Sequence, residues 1–303
     1  MAPPEIWPPL LTPFDERGAL DLPALGPMVD FYADRGCTGL LVNGLSAEPF
    51  ETTSEERAAV LRAVIAANNR RMQIAAAIYP DGGDWPGAVA EVHEAGADIA
   101  VLLVPLLVEQ DDDDAHLLGT LRDVAARTSG PLGLYEAPRP YKRILSTDAL
   151  SWAGHSGRFT FFKDTCQDFD RISERLRAIH GTPLRLLNAE VATYRRSVVD
   201  GAHGFCGLMA NVFPEALQNA GTAGSGTGEL VSDLLTLADP ALEKDYPASA
   251  KCLLGARFGL PLGSHARTLG RGTDLRVCNA LDALYKLLDQ RGLIDGTRKE
   301  LPD

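Results

Sequence analysis

Histidine is scarce in this chain. The six residues (His93, His116, His155, His180, His203 and His265) are scattered, with no HxH or HExxH pair. A histidine-built metal centre has little to draw on, and no metal or other cofactor is expected. The five cysteines (Cys37, Cys166, Cys206, Cys252 and Cys278) are odd in number and form no CxxC pair. That argues against a disulfide framework or a zinc ribbon and fits a reducing cytoplasm. Basic residues are outnumbered, 29 Lys+Arg against 41 Asp+Glu, and the net charge of −12 repels phosphate backbones, so nucleic acid is not an expected partner. The only basic clusters are short pairs such as Arg70-Arg71 and Arg195-Arg196. No apolar run approaches the roughly 18 residues of a membrane span. The opening Met-Ala-Pro-Pro-Glu lacks the basic region and apolar stretch of a signal peptide. The expected location is cytoplasmic, away from the membrane.

What is present is ordinary globular material: 45% hydrophobic and 23% charged residues over 303 positions, enough for one large core. Short apolar runs alternate with helix-like stretches. An entry strand near Pro9–Leu11 is followed by a helix over Leu22–Arg35. The later strands fall at Leu40–Val42, Ile74–Ile78, Ile99–Val104, Leu132–Tyr135, Phe159–Phe162, Leu184–Leu187 and Gly204–Gly207. Between and after them, helices are predicted over Ser54–Asn68, Trp85–Ala95, Asp111–Arg127, Thr147–Ala153, Asp168–Ile179, Glu190–Val199 and Pro214–Gly221. Ser54 is the expected cap of its helix, with Glu55 and Glu56 at the positive end.

Eight strand–helix units with near-continuous apolar strands predict parallel pairing through right-handed crossovers, closed into a (β/α)8 TIM barrel over residues 1–222. Residues 223–303 read as a helical extension, with helices over Glu229–Leu237, Pro240–Phe258 and Leu275–Gln290. The alternative, an open doubly wound sheet, requires a reversal of strand order that the pattern does not suggest. The Gly-rich run Gly221–Gly228 has neither the lysine nor the preceding strand of a phosphate loop and reads as a linker. The acidic run Asp111–Asp114 sits where a helix begins, so it suits the helix dipole better than a metal ion.

In such a barrel, chemistry belongs to the residues at the C-terminal ends of the strands. The sixth strand delivers Lys163 after Phe159-Thr160-Phe161-Phe162. Apolar walls would disfavour its charged form, and an amine that is partly neutral can attack a carbonyl to form a Schiff base. The plain alternative is an exposed lysine that starts a loop. The fifth strand delivers Tyr135, either a proton shuttle for a substrate held on the neighbouring lysine or a tyrosine packed at the rim. The second ends in Asn43-Gly44-Leu45-Ser46-Ala47-Glu48, whose backbone N–H groups and hydroxyl could face a carboxylate, or which could be a simple turn.

These residues resemble a known family. Leu11-Thr12-Pro13-Phe14, Gly44-Leu45-Ser46-Ala47-Glu48, Tyr135-Glu136-Ala137-Pro138, Lys163-Asp164-Thr165, His203-Gly204-Phe205-Cys206 and Ala210-Asn211-Val212 together are similar, in order and spacing, to the dihydrodipicolinate synthase / N-acetylneuraminate lyase family of pyruvate-dependent class I aldolases. The resemblance implies that Lys163 forms the imine with a 2-oxo acid and that Tyr135 relays protons. It also implies that Ser46, with the backbone N–H groups of Leu45 and Ser46, holds the substrate carboxylate, and that the Cys206 carbonyl lines the pocket. It implies a homo-oligomer, commonly a tetramer built as a dimer of dimers.

The departures from the pattern narrow the expectation. Leu45 replaces a relay hydroxyl. Leu106 and Leu107 stand in place of two tyrosines, one of which crosses a dimer interface in the synthases. Pro140 replaces the arginine that clamps the second substrate, with Arg139 beside it. Glu136 replaces the motif's asparagine. Buried leucines leave sugar hydroxyls unpaired at roughly 1–3 kcal/mol each, although Glu136, Arg139 and Asn188 are candidate polar contacts in the distal pocket. The expected function is a Schiff-base lyase, aldolase or dehydratase, acting on a 2-oxo acid with pyruvate as product or donor. The alternatives are a non-catalytic or weakly active 2-oxo-acid-binding relative, a dihydrodipicolinate synthase-like condensation, and a metal-dependent class II aldolase, which the poor histidine supply disfavours.

Overall fold

Eight parallel strands close around a side-chain-filled interior in the computed structural model, which describes residues 3–222 and 226–294. They are β1 (Glu5–Ile6), β2 (Gly39–Val42), β3 (Gln73–Ile78), β4 (Ile99–Leu103), β5 (Leu132–Tyr135), β6 (Phe159–Asp164), β7 (Arg185–Asn188) and β8 (Gly204–Phe205). Each pairs with its sequence neighbour from β2 to β8, and β8 pairs with β1. The seam between β1 and β2 is bridged just after β1: Leu10 N–H donates to the Leu41 carbonyl at 2.9 Å and Leu41 N–H to that of Pro8 at 3.0 Å. The entry strand thus lies at Glu5–Ile6 rather than at Pro9–Leu11. Pro8 and Pro9 have no N–H to extend a ladder, so Pro9 makes only an isolated bridge to Leu41.

The outer ring is α1 (Leu25–Asp34), α2 (Ser54–Asn68), α3 (Trp85–Glu94), α4 (Asp114–Arg127), α5 (Thr147–His155), α6 (Phe169–Ala178), α7 (Val191–Val199) and α8 (Pro214–Gly221). The cap of α2 is Thr53, one residue before the expected Ser54. Its hydroxyl accepts from Glu56 N–H, and the Glu56 carboxylate accepts from Thr53 N–H, a reciprocal capping box. The acidic run caps α4 through Asp113, which accepts from His116 N–H at 2.8 Å. That helix starts at Asp114, three residues later than expected.

The extension is α9 (Gly226–Glu243), α10 (Ala248–Phe258) and α11 (Leu275–Gln290). Residues 223–225 of the Gly-rich run lie outside the described residues. The sequence pattern ends one helix before Pro240 and starts the next there, but α9 runs through Pro240 and the break falls at residues 244–247. Its apolar face, Val231, Leu235 and Leu242, continues across the proline, so packing outweighs one lost backbone hydrogen bond. No helix among the described residues is long and apolar enough to cross a membrane.

Two apolar clusters divide the core. One fills the space between sheet and helices. The other fills the barrel itself and includes Trp7, Leu41, Val101, Leu103, Phe161 and Leu187. Trp7 meets Phe161 edge-on at 5.2 Å between ring centroids. Two such rings fit because the strands facing them are pared down: a Cβ at Gly39 would lie 2.3 Å from the Trp7 ring, and one at Gly133 would lie 3.0 Å from Val101. The barrel is therefore a packed plug at this level, and its open mouth is the end where the strands finish.

Candidate active site

Successive side chains of a strand point to opposite faces. On β6, Phe161 lies in the barrel interior and Phe162 in the outer layer. Lys163, next in the alternation, points inward and Asp164 outward. On β5 the same parity sends Leu134 outward and Tyr135 inward. The register pairs Tyr135 directly with Lys163, so the two inward side chains stand side by side at the mouth. Lys163 Nζ lies 4.4 Å from the centroid of the Tyr135 ring, and each residue is only 4% exposed.

Burial dominates the electrostatics here. It pulls the Lys163 ammonium below its ordinary 10.5, while Cys206 and Glu190 act in the opposite sense. Burial also pushes the Tyr135 phenol up, with Cys206 and Glu190 adding to the effect. The Cys206 thiol, fully enclosed, is raised to about 11. Its N–H donates to the Asn188 carbonyl at 2.8 Å, which holds the chain leaving β8 against β7. The phenol thus holds its proton more firmly than a free tyrosine, beside an amine shifted toward its neutral form.

The segment after β2 forms the third side. Leu45–Ala47 make a single 3-10 turn with Ser46 and Ala47 buried, and Glu48 follows in the left-handed region at φ 58°. Glu48 is pinned from the extension, with Lys251 Nζ at 2.8 Å from Oε1 and Thr268 N–H donating to Oε2 at 2.8 Å. Leu45 packs against the barrel interior, as does Leu106. Leu107 belongs instead to the layer outside the sheet and does not line the mouth.

Two expected distal-pocket residues are not in the pocket. Glu136 follows Tyr135 and so faces outward, where it is completely buried against α6. Its carboxylate takes two bonds from Arg175, at 2.6 and 3.2 Å, and one from Leu145 N–H at 2.7 Å. Asn188 also points outward, its amide donating to Thr193 and Ser197 on α7 and its carbonyl oxygen accepting from Glu190 N–H. Arg139 remains at the rim, half-exposed, with its guanidinium over Phe50 at 5.2 Å and 3.7 Å from Glu51. Two residues that the sequence pattern did not single out are present. Glu190, just beyond β7, acts on both Lys163 and Tyr135. Asking what each strand end delivers would have found it. Tyr246, from the break between α9 and α10, donates to Ser46 Oγ at 2.8 Å. No local signal marks it.

The model of the dihydrodipicolinate synthetase family matches residues 2–267. The chain belongs to that family. Membership makes it an enzyme of the class I aldolase kind, in which a lysine forms a Schiff base with the substrate. The chain is 30% identical over 294 residues to 4-hydroxy-tetrahydrodipicolinate synthase 1 of Streptomyces coelicolor, covering 91% of each chain. It is 28% identical over 257 residues to the 4-hydroxy-tetrahydrodipicolinate synthase of a Chelativorans species, covering 82% of this chain and 86% of the relative. Among solved structures, a dihydrodipicolinate synthase from Bacillus anthracis aligns with a TM-score of 0.82 at 20% identity over 93% of this chain and 97% of that one. A family member from E. coli K12, solved in complex with pyruvate, aligns with a TM-score of 0.80 at 21% identity over 96% and 99%. At those identities the structures establish the shared barrel.

Proposed function

We propose that this chain is a Schiff-base lyase for a 2-oxo acid, with pyruvate as product or donor, and that Lys163 is its nucleophile. One observation carries the reading: a buried amine, shifted toward its neutral form, lies against the face of a buried phenol at the strand ends of a barrel. The Lys163 amine attacks the C2 carbonyl, and loss of water leaves a protonated imine. In aldol cleavage that imine accepts the electron pair of the breaking C3–C4 bond and the pair is held as an enamine, which is then protonated at C3. In dehydration the imine accepts the pair left when a C3 proton is removed, and the resulting enamine expels hydroxide from C4, which leaves with the C4–O pair. Hydrolysis of the imine returns the amine and the 2-oxo acid. Tyr135 supplies and removes the protons at the nitrogen and at the departing oxygen. The N–H groups of Leu45 and Ser46, with the Ser46 hydroxyl, face the carboxylate.

The pyruvate bound to the E. coli relative supports the choice of ligand, and the named synthases support the enzyme class. The apolar Leu45 and Leu106 at the mouth favour one second reading, a relative that forms the imine but turns over slowly. By analogy with the family, we also infer a homo-oligomer, which light scattering would measure.

The deciding experiment is borohydride reduction in the presence of pyruvate, followed by intact-protein mass spectrometry. A stable adduct is expected on the wild type and none on Lys163→Ala. An unchanged wild-type mass rejects both imine-forming readings. A panel of 2-oxo acids with sugar-derived, aliphatic and aromatic tails, monitored for pyruvate release and for water loss, then separates lyase from binder and aldol cleavage from dehydration.

A further inference from the structure

The hydrogen bond from Tyr246 to Ser46 belongs to a longer chain whose direction can be read. Asn211 Nδ2 lies 3.0 Å from the Pro9 carbonyl oxygen, which can only accept. That atom is therefore the amide nitrogen, and Tyr32 O–H donates to the opposite atom, Oδ1, at 3.1 Å. The second hydrogen on Nδ2 points to Tyr246 Oη at 2.8 Å. With its oxygen accepting, the phenol has its single proton left for Ser46 Oγ, also at 2.8 Å. Ser46 in turn accepts, and its own hydroxyl hydrogen has no protein acceptor among the described residues. Each link polarises the next, so the terminal O–H is a stronger donor than an isolated serine.

We propose that Tyr246, supplied by the C-terminal extension, is a positioning residue that turns the Ser46 hydroxyl into an obligate donor to the substrate carboxylate. The inference deepens the lyase reading and rests on it. Tyr135 and Cys206 both act electrostatically on the Tyr246 phenol, which places it at the same end of the barrel. Ser46 is 4% exposed, so little water competes for the hydrogen it offers. A 2-oxo acid entering the mouth meets a hydroxyl that already accepts one hydrogen bond and has its own proton free to donate. The chain therefore favours a group that accepts at that position, and a carboxylate most strongly, since hydrogen bonds to a charged partner are the stronger ones. It also makes the extension part of the binding site: with Lys251 on Glu48 and Tyr246 on Ser46, α10 and the break before it hold the segment after β2 at two points.

The test titrates borohydride trapping against two probes, pyruvate and hydroxyacetone, a ketone with no carboxylate. Tyr246→Phe keeps the ring and removes the donor, and Tyr246→Met serves as a second variant if the first does not fold by circular dichroism. The expected result is that the pyruvate concentration for half-maximal trapping rises about tenfold, the worth of one hydrogen bond to a charged group. The trapped plateau and the hydroxyacetone titration should stay as in the wild type. Ser46→Ala should give a similar shift, and the double variant should be no worse than Ser46→Ala alone, since both remove one interaction. Unchanged pyruvate half-saturation in Tyr246→Phe overturns the proposal. So do equal shifts for the two probes, which mark general damage to the pocket, and strictly additive effects of the two substitutions. Absence of any adduct on the wild type overturns the imine reading itself and this inference with it.

Discussion

Replacing Arg175 by methionine is the most demanding perturbation of this molecule, because it strikes the strands that carry Tyr135 and Lys163 without touching either residue. Arg175 lies on α6, fully buried, between two carboxylates that are also 0% exposed. Nη1 is 2.6 Å from Asp164 Oδ2 and 3.2 Å from Glu136 Oε2, and Nη2 is 2.6 Å from Glu136 Oε1 and 2.7 Å from the Leu145 carbonyl. Asp164 follows Lys163 and Glu136 follows Tyr135. One guanidinium therefore ties the ends of β5 and β6 from outside the barrel. Methionine fills much of the same volume, so the cavity contribution is small. The loss is electrostatic: two carboxylates stay buried without their cation. Removing one partner of a buried ion pair costs about 3–5 kcal/mol, which for a chain of this size lowers the melting temperature by on the order of 10 °C.

The pH dependence sharpens that prediction. The Glu136 carboxyl is raised above its ordinary 4.5, chiefly by burial and further by Asp164, while Arg175 opposes the rise. For a group whose folded value is raised, the stabilising contribution is fully present below the unfolded value and is lost as pH climbs through the folded value. Removing Arg175 deletes the opposing influence and widens that window upward. Denaturant titrations followed by circular dichroism at pH 5, 6, 7 and 8 should find the deficit of Arg175→Met growing with pH. Adding Glu136→Gln should recover part of it at pH 8 and less at pH 5. A deficit below about 1 kcal/mol, or one constant across that range, would refute the reasoning that the three side chains form a buried, charge-dependent clamp.

Other outcomes follow from the same geometry. The rate of imine trapping with pyruvate should rise with pH along a limb centred below 10.5, and Glu190→Gln should move that limb lower still, since the Glu190 charge raises the Lys163 value; a limb that does not move removes Glu190 from the site. Tyr135→Phe should keep the borohydride adduct and lose about 10²–10⁴-fold in turnover, and wild-type turnover in the variant would take the phenol out of the mechanism. Gly39→Ala places a Cβ 2.3 Å from the Trp7 ring and should cost about 1–3 kcal/mol in a thermal melt; an unchanged melting temperature would mean that Trp7 is not wedged across the barrel floor.

The alternation of strands and helices was legible because it is local: each apolar run and each amphipathic stretch reports its own period, and α8 and α11 fall at the predicted limits. What was misread was local too, and the same rule corrects it. The two-residue period that sends Tyr135 and Lys163 into the barrel sends Glu136, Asp164 and Asn188 out of it, and all three lie buried on the outer face. Polar residues at these strand ends thus divide by parity into a set that faces the barrel mouth and a set that holds the strands together. Tyr246 obeys no such rule, since its partner Ser46 is 200 positions away and the contact exists only once the extension has packed. The division also changes the meaning of the motif's departure at position 136. A glutamate in place of asparagine there leaves the pocket's polarity untouched. It adds a charge behind the pocket, where a second carboxylate at 164 already sits, and that arrangement is tolerable only with a buried cation between them. The glutamate at 136 and the arginine at 175 are one structural feature, and the substrate's identity must be sought in the residues that line the mouth.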